Sequence, residues 1–162
     1  MMRQGMPHQK HGRTTRLVDD RDRMFEILQI VTDWAKSQED VRGVALVGSH
    51  ARDAARPGSD VDFVFLSKNP DRFRDARWLA SVEWSRAGVD LTKWTDEEYG
   101  AVWCRRAWFK PEVEVEFAFA SLSWAEASPV DQGTVRVVSD GCRILYDPDG
   151  LLKRLTLAVA CL

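Results

Sequence analysis

Residues 47–66 read VGSHARDAARPGSDVDFVFL. Two apolar runs flank a segment of small, charged and turn-forming residues, and the second run opens with Asp60 and Asp62 on alternate positions. Short continuous apolar runs suit strands buried on both faces, so a carboxylate pair at the head of one needs a physical reason. In a strand, residues i and i+2 share a face. Asp60 and Asp62 therefore stand side by side while Val61 faces the other way. Two adjacent carboxylates repel and resist burial unless a cation compensates them. Mg²⁺ is the natural candidate, because it takes hard oxygen ligands and is commonly shared between carboxylates and substrate phosphates. A lone D-x-D is more often a solvated strand start than a metal site, so the neighbouring residues have to decide.

Upstream, Gly48 and Ser49 sit where the apolar run 43–48 ends, and SHARDAA predicts about two helical turns before Pro57 and Gly58 break them. Glycine there lets backbone approach a ligand closely. Free N–H groups at a helix N-terminus favour a phosphate, and the Ser49 hydroxyl adds a donor. Arg52 can pair with phosphate charge or serve as a structural ion pair. His50 is read as facing solvent. A phosphate cradle followed by a carboxylate pair describes a nucleoside triphosphate site.

Phosphoryl and nucleotidyl transfer with two metals usually needs a third carboxylate. EVEVEFAFA (112–120) supplies candidates, since Glu112, Glu114 and Glu116 share one face by the period of two. A solvated antiparallel face explains Glu112 well and Glu114 about equally. Glu116 lies deepest in the apolar run, so it is the chosen third acid and Glu114 the reserve.

GSHAR (48–52), then GSDVDF (58–63), with VEF around Glu116, resembles the signature of the DNA polymerase β-type nucleotidyltransferase superfamily. The resemblance implies an α+β fold of the polymerase β-like type, a mixed β-sheet flanked by helices. It implies that Gly48 and Ser49 hold the β- and γ-phosphates, with Arg52 and Ser59 completing the nucleotide contacts. It also implies that Asp60, Asp62 and Glu116 bind two Mg²⁺ ions and that Glu116 acts as base. The expected donor is ATP, attacked at its α-phosphate by a hydroxyl acceptor with pyrophosphate leaving.

Two branches fit the resemblance. Antibiotic adenylyltransferases move AMP to a small, aminoglycoside-like acceptor, and RILYDPDGLL (143–152) resembles the segment ending their catalytic domain. Those enzymes continue into a helical drug-binding domain, whereas this sequence stops at Leu162. Minimal nucleotidyltransferase antitoxins instead adenylylate or occlude a helical HEPN-type toxin partner. A third class of reading is a binding module that keeps the fold without the chemistry, against which the crowded carboxylates argue. A homodimer that completes the cleft is a further expectation.

A chain of 162 residues suits one domain with a substantial core. The formal net charge of −2 makes no general case for a nucleic-acid partner. Arg3, Lys10, Arg13 and Arg16 put four positive charges in the first sixteen residues, leaving about −6 on the rest. Residues 1–18 read as a disordered basic tail and 19–162 as the folded domain. No window is apolar enough for a membrane span, and three scattered cysteines form neither a disulfide framework nor a zinc motif. A cytoplasmic location is expected.

The remaining pattern predicts an amphipathic helix over 19–40, with Met24, Phe25, Ile27, Leu28, Val31 and Trp34 in its stripe. A further helix is expected over 69–84. Strand-like runs at 99–109 and 112–120 read as a hairpin turning at Lys110-Pro111. A helix capped by Ser128 and stopped by Gly141, a last strand at CRILYD and a terminal helix from Gly150 complete the reading. DPDG (147–150) is a turn rather than a calcium loop. Trp103 and Trp108 fall on opposite strand faces, so one of them is free to stack on a base, an acceptor or a partner unless both faces are covered.

Overall fold

The computed structural model describes residues 20–162, so the expected basic tail at 1–18 lies outside the described residues. Helix α1 (Asp20–Lys36) buries Ile27, Ile30, Val31 and Ala35, the spacing of one helical face. Phe25, expected in that stripe, points away from it and is 64% exposed.

Six strands follow: β1 (Val41–Val47), β2 (Val61–Ser67), β3 (Asp90–Tyr99), β4 (Val102–Lys110), β5 (Val113–Ser121) and β6 (Cys142–Tyr146). They form one sheet in the order β3-β4-β5-β2-β1-β6. β2 and β5 run parallel, and the other four pairings are antiparallel. The fold is therefore α+β with a mixed sheet, as the resemblance implies.

Both faces of the central strands are covered, which is why β1 and β2 read as continuous apolar runs. On one face Phe63, Phe65, Phe117 and Phe119 pack beneath α1 and the segment 70–87. Phe65 and Phe119 stack at 4.9 Å, and Phe73 stacks on Phe119 at 4.8 Å. Trp34 and Trp78, both expected in the core, stack on each other at 4.7 Å beside these rings. On the other face Ala45, Val64, Leu66 and Ala120 pack under α3 (Gln132–Ser139) and α4 (Leu151–Ala160).

Several elements differ from the sequence reading. SHARDAA forms turns rather than a helix. The helix expected over 69–84 is broken into a 3₁₀ turn (Pro70–Arg74), a short α2 (Arg77–Ser81) and a second 3₁₀ turn (Trp84–Ala87). Its indoles are held by backbone: Trp78 Nε1 donates to Phe73 O at 2.7 Å and Trp84 Nε1 to Leu79 O at 2.8 Å. Helix α3 starts later than expected. Asp131 rather than Ser128 is its N-cap, with the carboxylate accepting from Thr134 N at 3.1 Å, the usual role of Asp there. Strand β3 has no counterpart in the sequence reading, because nearly every residue in it is exposed and it carries no apolar alternation.

Besides its backbone ladder to β4 and the Arg74–Glu98 ion pair, β3 is held by Arg105, whose side chain is fully buried on β4. Its Nε and Nη2 donate to Asp96 of β3 at 2.8 and 2.9 Å, and its Nη1 and Nη2 donate to the carbonyls of Phe73 and Arg74. Trp94 and Trp103 lie against the guanidinium at 4.4 and 5.2 Å. A buried charge is tolerable when paired and fully hydrogen-bonded, and this one ties β3, β4 and the 3₁₀ segment together. Trp103 is accordingly core. Trp108 lies on the other face of β4, under Lys93 with the ammonium 4.9 Å from the ring centre.

Candidate active site

The sheet brings the sequence-predicted acids together. Asp62 is the second residue of β2 and pairs in register with Glu116 on β5 and with Val47 on β1. Asp60 immediately precedes β2. One carboxylate oxygen from each of Asp60, Asp62 and Glu116 lies within 4.8 Å of the others. Their alternation puts Asp62 and Glu116 on the face opposite the phenylalanine stack, over the second core.

Three acids this close must carry an electrostatic cost. Asp62 is pushed up to about 7, first by burial and then by the charges of Glu116 and Asp60, with the Arg106 guanidinium opposing. Glu114 is also raised, by burial and by Asp60 beside it. Of the two glutamates, Glu116 is the one whose carboxylate joins both aspartates. Glu114 meets Asp60 and the Arg106 guanidinium, and is not part of the three-acid cluster. Cys104, on β4 beside Glu116, is pushed up to about 12 by burial and by that carboxylate, so it stays a thiol.

Gly48 follows β1 with φ +75°, and a Cβ there would stand 2.6 Å from Asp62 Oδ2. Glycine is thus required twice, for its conformation and for the close approach of the carboxylate. The loop that follows is a run of turns, with Ala51 N donating to Gly48 O and Ala54 N to Ser49 O. The backbone N–H groups of Ser49 and His50 donate to no backbone carbonyl among the described residues. Without a helix there is no helix dipole, but successive unpaired N–H groups in a turn still make an anion-binding concavity.

Ser59, Arg52 and His50 are held by the protein itself. Ser59 Oγ accepts from Arg56 N at 2.8 Å. His50 Nε2 donates to the Ser59 carbonyl at 3.3 Å, so its ring ties the two ends of the loop. Arg52 Nη1 donates to Asp140 O at 3.0 Å, at the C-terminal end of α3. Gly141 comes so near this loop that a Cβ would lie 3.1 Å from Gly48 O. Arg52 therefore clips the turn to α3.

Arg106 was not singled out from the sequence. It pairs in register with Glu116, and its guanidinium lies 3.4 Å from Glu114 and 3.5 Å from Glu116. A two-residue turn at Lys110-Pro111 would set Arg105 opposite Glu116; the observed turn is centred on Pro111, which shifts the register by one and places Arg106 there instead. A cleft of about 810 Å³ opens beside the acids, over Val64, Val102, Cys104 and Ala118. Trp124, Pro129 and α3 wall it. Sequence periodicity held no sign of it, since it lies between elements far apart in the chain.

A family model described as the nucleotidyltransferase domain matches residues 27–117, a span running from α1 into β5 that includes Gly48, Asp60, Asp62 and Glu116. No curated protein matches the chain.

Proposed function

Since the chain belongs to the nucleotidyltransferase domain family, we propose that it transfers a nucleoside monophosphate, AMP from ATP, to the hydroxyl of a small-molecule acceptor by two-metal catalysis. The observation that carries this reading is the convergence of Asp60, Asp62 and Glu116 on one point beside Gly48. Their chemistry fits Mg²⁺: three hard oxygen donors crowd together at a cost that a divalent cation would relieve. When bound, two Mg²⁺ ions would neutralise phosphate charge and lower the pKa of the attacking hydroxyl.

The chain's own groups divide the remaining work. Gly48, Ser49 and the unpaired N–H groups of their turn hold the β- and γ-phosphates. Ser59 and Arg52 shape that turn and add polar groups at its rim. Glu116 accepts the acceptor's proton as its oxygen bonds to the α-phosphorus. The bond from the α-phosphorus to the bridging oxygen breaks, and pyrophosphate leaves with the electron pair. Positioning and charge stabilisation are the protein's main contribution. The size of the cleft beside Glu116 favours a small molecule over a protein such as a helical toxin as acceptor.

The test is transfer of label from α-³²P-ATP with Mg²⁺ into small-molecule and protein fractions of a cell extract. Label should enter the small-molecule fraction with the wild type, and not with Asp60→Ala/Asp62→Ala or after EDTA. Label confined to protein would move the acceptor to a macromolecule. Equal labelling by wild type and double variant would end the proposal.

A further inference from the structure

Resting on the transfer reading above, we infer that the cleft beside the acid cluster is the acceptor pocket, and that it takes a mainly apolar molecule, neutral or bearing a protonated amine, while rejecting anionic acceptors. The volume of about 810 Å³ lies within the roughly 300–1,000 Å³ of small-molecule sites. The space exists because β2, β4 and β5 present small or medium side chains on this face (Val64, Val102, Cys104, Ala118), whereas β2 and β5 fill the opposite face with phenylalanine. The floor from Glu116 to Ser121 covers roughly 16 Å of strand, enough for an elongated molecule with its hydroxyl at the acid end. Trp124 at the wall offers an aromatic surface.

Charge selects among ligands. The lining holds four carboxylates, Asp62, Glu116, Glu126 and Asp131, and no lysine, arginine or histidine among the described residues. Asp131 is committed to capping α3; Glu126 is exposed and free to meet an ammonium. A phosphorylated or carboxylated ligand would bring like charge into an apolar space with no cationic group to compensate it.

Position selects the acceptor over the leaving group. Across the sheet the order is Gly48 at the end of β1, Asp62 on β2, Glu116 on β5, so the phosphate turn and Glu116 flank Asp62 on opposite sides. Attacking and leaving oxygens lie roughly in line through the phosphorus. A pyrophosphate leaving towards Gly48 requires the hydroxyl to arrive from the Glu116 side, where the cleft opens. A nucleobase is a poorer occupant, because few groups can read its edge: Ser121 and Ser123 bond each other at 2.6 Å, leaving a single O–H of the pair to donate, and the Thr134 hydroxyl donates to Asp131.

Three aromatic probes of different charge test this by amide chemical shifts of the full chain: phenylalaninol, benzyl alcohol and benzyl phosphate. Phenylalaninol and benzyl alcohol should shift the amides of Ala118, Ser121 and Gly133. Phenylalaninol should bind about threefold tighter, the worth of one screened charge contact, and Glu126→Gln should remove that advantage. Benzyl phosphate should bind about tenfold more weakly than either. Ala118→Phe should abolish binding of all three probes while Mg²⁺-ATP binding, followed by calorimetry, is retained. Val137→Phe, on the exposed helical wall, does the same without touching the sheet should Ala118→Phe fail to fold.

Benzyl phosphate binding as well as phenylalaninol, or no probe moving these amides, would overturn the assignment. So would loss of ATP binding in both filled variants, which would make the cleft a nucleobase site. Failure of the transfer reading looks different: Asp60→Ala/Asp62→Ala would then leave Mg²⁺-ATP binding unchanged, whatever the probes do.

Discussion

Asp62 shows how much a crowded, half-buried carboxylate can oppose folding. Its ionisation is raised from 3.8 to about 7, a difference of about 4 kcal/mol at full strength and about 2 kcal/mol once partial solvent screening is allowed for. The sign follows from linkage. Between these pH values the native state holds a proton that the unfolded chain has lost, so stability falls as pH rises from about 4 to about 7. Asp62→Asn should therefore stabilise the metal-free protein by about 2 kcal/mol above pH 7, with the gain vanishing below about pH 4. Urea unfolding across that range in EDTA measures it, and a gain that does not vary with pH would refute it. Mg²⁺ should reverse the order, stabilising the wild type and leaving the variant unchanged. At this scale the sequence was readable where a residue's environment was local. Asp60 and Asp62 announced themselves by spacing, and Gly48 by its place at the end of an apolar run. Arg106 and Cys104 act on Glu116 across a strand boundary, which only the pairing register reveals.

Among the elements, β3 depends on its neighbours more than on itself. It is the outermost strand, exposed along nearly its whole length, and Arg105 joins it to the rest through Asp96. Asp96→Ala should cost about 3 kcal/mol by leaving a buried guanidinium short of its partner, the lower end of the range because Asp96 keeps some contact with solvent. Adding Arg105→Met should not add its own full cost, and the coupling between the two, read from urea midpoints, should exceed about 1 kcal/mol. Strictly additive losses would show that the pair does not act as a unit. The same arrangement explains why β3 was invisible in the sequence. DLTKWTDEEY has neither the alternation of a half-buried strand nor the run of a buried one, and its side-chain ties are mainly charge pairs, Asp96 to Arg105 and Glu98 to Arg74, rather than an apolar face. β1, β2 and β5 were legible because burial on both faces leaves continuous apolar runs. The segment 69–84 misled because Phe73, Ala76, Leu79 and Val82 recur every three residues, close to a helical period, while the indole bonds to Phe73 O and Leu79 O hold the chain in shorter turns.

Over the whole molecule, protection should follow the strand order. Native-state amide exchange should find β2 and β5 opening only with global unfolding, and β3 opening at lower free energy with little dependence on denaturant. Equal protection of β3 and β2 would contradict this. The sheet also has a consequence for the order in which the molecule comes into being. β2 and β5 are parallel neighbours, yet the whole of β3 and β4 is laid down between them in the chain. Contacts so distant in sequence form late, because the loop must close before they repay its entropy. On the ribosome, Asp60 and Asp62 emerge well before Glu116 and must wait for it. A nascent chain has two acids where the finished one has three, so the proposed metal site would be complete only once the last central strand has docked. Under the proposed chemistry, loading with Mg²⁺ would thus report that β5 has docked, while α3, β6 and α4 are still to be placed.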